Sequence, residues 1–186
     1  GAKNVQWVDT VFGGCYRRET FEKIGLFNEA LVRGQDREFN MRLKNAGGKI
    51  LFVPDIICYY YPRSTLGGYI PWIFSSGLTP FFVSRLIKRR IYSWRNIIPL
   101  LFLLSLIVFP LLSIFCQICR YLFLGEVVAY LVCSLVATAL VVSTKCDLRF
   151  LVSMPIIFFL THAVYGLGSL VSFFKPVNSG GEWTRV

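Results

Sequence analysis

The sequence predicts two unlike parts in one chain: a front part of short strands and helices, then three helices long enough to cross a membrane. Three observations carry this. The 186 residues are 55% hydrophobic with a mean hydropathy of +0.58, too apolar for an ordinary soluble domain. The apolar residues crowd into the chain after Asn96, whereas the stretch before it mixes charge, glycine and aromatics. Charge divides at the same place, with fifteen Lys and Arg against seven Asp and Glu over 1–96, and five against three over 97–186.

The front part opens on "VQWVDTVFGG", whose β-branched and aromatic residues read as a buried strand ending in a glycine pair. With no initiator Met and no signal peptide before it, this reads as entry into the middle of a domain, and a piece of a longer protein is expected. "RRETFEKIG" follows as a short helix stopped by Gly25. "LFNEALVRG" is a loop with apolar anchors.

"DREFNMRLKNAGG" is the clearest helix. Phe39, Leu43 and Ala46 share one apolar face, Glu38 and Arg42 stand at i,i+4 for an ion pair, and Gly47-Gly48 end it. Asp36 falls at its start. There a carboxylate serves as an N-cap, bonding free backbone N–H groups. The same position also keeps a carboxylate ionised and aimed outward, as a general base requires. Spacing alone leaves both open. "KILFVP" and "IICYYYP" then read as two short strands broken by Pro54-Asp55.

From Thr65 to Trp94, bulky aromatics alternate with a basic cluster, which suits segments lying in the lipid headgroup layer. Beside a membrane span, nucleic acid is not the expected partner of those cations.

Three apolar runs cover 97–119, 121–143 and 150–174, each near the length a spanning helix needs. The first two are separated by little more than Arg120 and should form a tight hairpin. Gly125-Glu126 is the weak point of the second. Arg85, Lys88, Arg89, Arg90 and Arg95 precede the first span, and Lys145 and Arg149 lie between the second and third. The excess of basic residues puts the front part and the 144–149 loop in the cytoplasm, and the tail with Glu182 and Arg185 outside. Of the six cysteines, Cys116, Cys119, Cys133 and Cys146 sit in or beside these runs. "CQIC" lacks a second pair or a His cluster and reads as small apolar filling. His162, the single histidine, lies within the third span. An ionisable group there is a functional candidate, and a neutral imidazole bonded to a Ser or carbonyl of a neighbouring helix is the plainer reading.

The run from Gly13 to Ser64, "GGCYRRETFEKIGLFNEALVRGQDREFNMRLKNAGGKILFVPDIICYYYPRS", resembles the second half of the catalytic domain of family 2 glycosyltransferases. It looks most like the membrane-bound branch that includes the succinoglycan glucosyltransferases. "HAVYGLG" in the third span is similar to a motif of that branch. The resemblance implies an α/β fold, with 1–66 as the C-terminal, acceptor-side part of a GT-A domain. After it come an amphipathic, basic interfacial segment over 67–96, three transmembrane helices over 97–175, and a tail over 176–186.

It implies Asp36 as the catalytic base of an inverting transfer from a nucleotide-sugar to a lipid-linked or saccharide acceptor, in polysaccharide or glycolipid synthesis at the inner membrane. It implies substrate-binding roles for Gly13, Gly14, Gln35, Arg37 and Arg63, with Arg63 reaching a leaving diphosphate, or instead pairing with Asp55 or a lipid headgroup. A divalent cation, Mg or Mn, is implied too, but the Asp-x-Asp motif that would hold it is absent from this sequence. The Gln-x-x-Arg-Trp motif of processive synthases is also absent, which favours transfer of single sugars. Membrane lipids are the remaining expected partner. A non-catalytic membrane anchor or scaffold of a glycosyltransferase complex is the competing reading.

Overall fold

The computed structural model describes residues 3–176 other than 12, 30, 32 and 146. Cys146, Glu182, Arg185 and all but the first residue of the expected tail lie outside the described residues. The order is β1 (Gln6–Val8), α1 (Arg18–Ile24), α2 (Gln35–Asn45), β2 (Ile50–Phe52), α3 (Leu66–Leu86), α4 (Trp94–Leu112), α5 (Gln117–Lys145) and α6 (Phe150–Phe174).

The front module is small and its helices are as the sequence reads. Gly25 ends α1 at φ 81°, its N–H bonded to the Phe21 carbonyl, and Gly47 at φ 81° follows α2. Tyr16, Phe21, Phe27 and Phe39 pack their rings together, with Phe39 fully buried and Tyr16 edge-on to it at 4.8 Å. The Glu38–Arg42 pair forms at 2.7 Å and reaches further than spacing foretells. Arg42 also donates to the carbonyl oxygens of Ile24 and Leu26, and so closes the end of α1.

The strands depart from expectation. β1 and β2 pair antiparallel, Trp7 opposite Leu51, as the two-stranded sheet of the described residues. The first strand is three residues long and mostly exposed rather than buried, with Lys49 over the Trp7 ring. "IICYYYP" is not a strand: 57–62 is irregular, and Tyr59 and Tyr61 are largely exposed. A strand needs a neighbour for its backbone groups, and no third strand is present among the described residues to supply one. An α/β sandwich is therefore not what the described residues form; the chain is mostly helical.

The aromatic segment after Thr65 folds into one helix. Thr65 caps α3, its hydroxyl accepting the Gly68 N–H at 3.3 Å. Residues 77–84 are buried on every face. α3 runs parallel to α6, in a register where partners lie 92 residues apart: Tyr69 bonds Thr161 at 2.8 Å, and Ser169 donates to the Gly77 carbonyl at 3.2 Å. Glycine makes this approach possible. A Cβ on Gly77 would run into the Tyr165 carbonyl, one on Gly168 into the Phe74 carbonyl, and one on Gly166 into Pro99 of α4. Arg85 closes the far end, donating to the Ser172 and Lys175 carbonyls.

α4, α5 and α6 are each long and apolar enough to cross a membrane, with hydropathies of 2.1, 2.2 and 1.8. The hairpin turn lies at 113–116, not at Arg120. That segment, "SIFC", is as apolar as the helices it joins, so hydropathy does not reveal it; Phe115 and Cys116 both donate to the Leu112 carbonyl, and Arg120 lies inside α5. Glu126 also stays inside α5, accepting the Ser105 hydroxyl of α4 at 2.5 Å. His162 Nδ1 lies 2.8 Å from the Phe158 carbonyl of its own helix and 3.2 Å from the Tyr130 hydroxyl of α5.

Candidate active site at the start of α2

The site is built by the turn into α2. Gly34 is its N-cap, at φ 79°, a left-handed conformation that favours glycine. A side chain there would also press on α3, a Cβ lying 3.2 Å from Thr79 Cγ2. Gly34 thus turns the chain and seats α2 on the membrane part. The cap is therefore not Asp36, which occupies the second helical position. Its Oδ1 accepts the N–H of Arg37 at 2.8 Å, and the side chain is exposed. The carboxylate is held by a first-turn amide and still faces outward.

One turn further on, Asn40 organises what stands beside it. Asn40 is buried, accepts the Tyr16 hydroxyl on Oδ1 at 2.8 Å, and donates through Nδ2 to Thr10 Oγ1 at 2.9 Å. Three elements meet in this chain: the segment after β1, the segment before α1, and α2. Burial pushes the Tyr16 hydroxyl above its usual pKa, the nearby Asp36 carboxylate pushes it further the same way, and the bond to Asn40 opposes both. Asp36 is close enough to Tyr16 to act on it electrostatically. Tyr16, Asn40 and Thr10 were not expected as site residues; the i,i+4 spacing of Asp36 and Asn40 was the signal for one of them.

Among the residues expected to bind substrate, Gln35 and Arg37 flank Asp36 directly. Gly13 and Gly14 lie just before Tyr16. A Cβ on Gly14 would stand 2.6 Å from the Tyr16 hydroxyl oxygen, so this glycine makes room for the tyrosine. Gly13 has φ 65° and faces Cys58. Arg63 is not joined to this group: it donates to the Tyr60 hydroxyl at 2.9 Å and lies 5.5 Å from the centre of the Trp72 ring, and it does not pair with Asp55. Among the described residues no three His, Cys, Asp or Glu side chains converge into a metal-binding group.

Beside the Asp36 group lies a cleft of about 440 Å³. Arg37, Met41 and Lys44 of α2 form one wall, and Arg90, Ser93 and Asn96, leading into α4, form the other, with Thr10 between them.

No protein-family model and no solved structure matches this chain. The chain is similar to a curated glycosyltransferase, the dolichyl N-acetyl-alpha-D-glucosaminyl phosphate 3-beta-D-2,3-diacetamido-2,3-dideoxy-beta-D-glucuronosyltransferase of Methanococcus voltae. The two are 28% identical over 186 residues, covering 97% of this chain and 51% of the relative. The chain thus spans about half the length of the relative it matches, and the likeness runs through both the front module and the helices.

Proposed function

We propose that this chain is the acceptor-side and membrane part of an inverting glycosyltransferase, of family 2 type, that moves a sugar from a nucleotide-sugar onto a lipid-linked acceptor. The observation that carries the reading is the exposed Asp36 carboxylate, fixed by the Arg37 N–H through one oxygen and open at the other among the described residues. The likeness to a transferase whose name specifies a dolichyl-linked phosphosugar supports the acceptor class. Three apolar helices beside the module suit an acceptor with a membrane-held tail.

In this mechanism Asp36 takes the proton of an acceptor hydroxyl. The freed oxygen attacks the anomeric carbon, a new C–O bond forms, and the bond to the diphosphate breaks with its electron pair leaving on the nucleoside diphosphate. Configuration at that carbon inverts. Tyr16 and Asn40 hold the surroundings of Asp36 in place. Family 2 membership, the succinoglycan-type branch, the nucleotide-sugar donor, a role in polysaccharide synthesis and a cytoplasmic catalytic face at the inner membrane belong to the same proposal.

The test is transfer of radiolabelled sugar from a panel of nucleotide-sugars to lipid extract, using membranes that carry the whole reading frame containing this chain. Asp36→Asn should lower transfer by about a hundredfold or more, the scale of a general base, with protein level and melting unchanged. Equal transfer by both forms would return Asp36 to a structural place in the first turn of α2.

A further inference from the structure

The cleft beside the Asp36 group is positive and sits where the front module meets the first spanning helix. Arg37 and Arg90 face it from opposite walls, and Lys44 is held there by Asp9. Lys44 and Asp9 offset each other, which leaves the two guanidinium groups as its net charge. Arg90 is placed by its own turn: Nε donates to the Tyr92 carbonyl at 3.2 Å and the guanidinium lies 5.0 Å from the centre of the Tyr92 ring. Its remaining N–H groups have no hydrogen-bond partner among the described residues. The Arg37 side chain, exposed on α2, likewise makes no hydrogen bond among the described residues.

The other lining groups do two jobs. Asn96 fixes the entrance of α4, accepting the Ser93 N–H at 2.8 Å and donating to the Tyr165 hydroxyl of α6 at 2.6 Å. The Ser93 hydroxyl donates to Asn96 Oδ1 at 3.1 Å, and Thr10, whose oxygen accepts from Asn40, contributes its hydroxyl proton to the cleft. The first turn of α4 carries no acid. Two forked cations, the Thr10 hydroxyl and an acid-free helix start suit a tetrahedral oxyanion. Just beyond the cleft, α4 presents Ile98 and Leu101, both exposed. A ligand that placed its anion in the cleft could lay an apolar chain along that face.

We propose that this cleft seats the phosphate group of a membrane lipid, with Arg37 and Arg90 as its two direct ligands and the hydrocarbon tail along α4. It rests on the proposed function only in naming that lipid as the acceptor; the phosphate site itself stands on the cleft. Arg37 then ties the two together, since its own N–H holds Asp36 while its side chain holds the phosphate.

The test is binding to the detergent-solubilised protein expressed from the whole reading frame, with farnesyl phosphate as the probe. Farnesol, inorganic phosphate and dioleoylphosphatidylglycerol are the comparison ligands. Farnesyl phosphate should bind. Arg37→Ala and Arg90→Ala should each weaken it by about tenfold or more, the loss expected for one charge-assisted hydrogen bond. Arg37→Lys should fall between wild type and Arg37→Ala, because it keeps charge without the fork. Melting temperatures of the Arg37 variants should match wild type.

Farnesol binding as tightly as farnesyl phosphate would overturn the proposal, as would affinity indifferent to both arginines. Inorganic phosphate binding with the same strength would make this a free-phosphate site and remove the lipid. Displacement by phosphatidylglycerol at equal affinity supports the phosphate site and assigns it to a bulk headgroup; failure of phosphatidylglycerol to displace assigns it to the prenyl-type acceptor. Asp36→Asn should bind farnesyl phosphate normally, so a failure of the catalytic reading leaves the binding result intact.

Discussion

Tyr16 donates its hydroxyl to Asn40 Oδ1 at 2.8 Å, within reach of the Asp36 charge. The pKa of that hydroxyl is raised from its ordinary 10.0, by burial first and Asp36 second. A raised pKa means the folded state holds the proton more tightly than the unfolded one. The stabilisation is therefore complete below the ordinary value and is lost as pH climbs through the folded value. Melting measured from pH 9 upward should fall above about pH 10 in wild type and fall less in Tyr16→Phe. At neutral pH the same variant should cost about 1 kcal/mol, the net worth of one hydrogen bond. Parallel curves for the two proteins would place the alkaline transition elsewhere.

Arg42 is the strongest structural tie in the front module. It pairs with Glu38, whose side chain is only 8% exposed, and it satisfies two carbonyls at the end of α1. Removing it leaves a nearly buried carboxylate alone and two acceptors open. Arg42→Ala should lower stability by about 3 kcal/mol, the scale for breaking one side of a buried pair. Amide hydrogen exchange should rise first in α1, which loses its closing contacts. Arg42→Lys should recover only part of the loss, since one ammonium does not span Glu38 and both carbonyls. Exchange in α1 that matched wild type would show that the aromatic cluster alone holds this helix.

Gly168 lets α6 lie against α3 at the Phe74 carbonyl. Backbone is the obstacle there, and no rotamer change relieves it. Gly168→Ala should force the helices apart and cost about 1–3 kcal/mol by overpacking, read as a lower melting temperature in detergent. Gly125→Ala is the control: nothing lies within 4 Å of a Cβ at that position, and a mid-helix alanine should be neutral or stabilising. If both variants melted alike, the close α3–α6 contact would not exist in the membrane.

Much of this was legible in the sequence because it depends on neighbours along the chain. Gly25 and Gly47 as helix stops, the Glu38–Arg42 pair and the three apolar spans are all local patterns. The strands were less legible, because a strand's fate depends on a partner, and "IICYYYP" finds none among the described residues. The hairpin at 113–116 was hidden by its apolar turn. The cleft was invisible for a different reason: Arg37 and Arg90 stand far apart in sequence and meet only because α3 carries the chain back past α2. Asn40 stands at i+4 from Asp36, but nothing along the chain said that Tyr16, twenty-four residues earlier, would meet it there.

Charge and packing make separate demands on α6, and labelling can tell which governs. The basic residues of 85–95 and the pair Lys145 and Arg149 place Asp147 on the same side as Asp36, and Lys175 on the opposite side if α6 crosses. Packing ties the other end of α6 to the module: Arg85 holds the Lys175 carbonyl at 3.1 Å, and the same α3 carries Thr79 against Gly34. The two demands conflict: Arg85 belongs to the basic cluster, and a carbonyl 3.1 Å from it cannot lie across a hydrocarbon layer of about 30 Å. Single cysteines at Glu29, Asp147 and Lys175, in a background without native cysteines, report through a membrane-impermeant maleimide the side on which each stands. With the Arg85–Lys175 contact kept, Lys175 should label from the same side of oriented vesicles as Glu29 and Asp147; labelling of Lys175 from the other side would mean that the contact is absent in the membrane. Labelling of Lys175 together with Glu29 would mean that α6 does not cross. The spans would then number two, and α3 and α6 would form a platform under the catalytic module on its own side of the membrane.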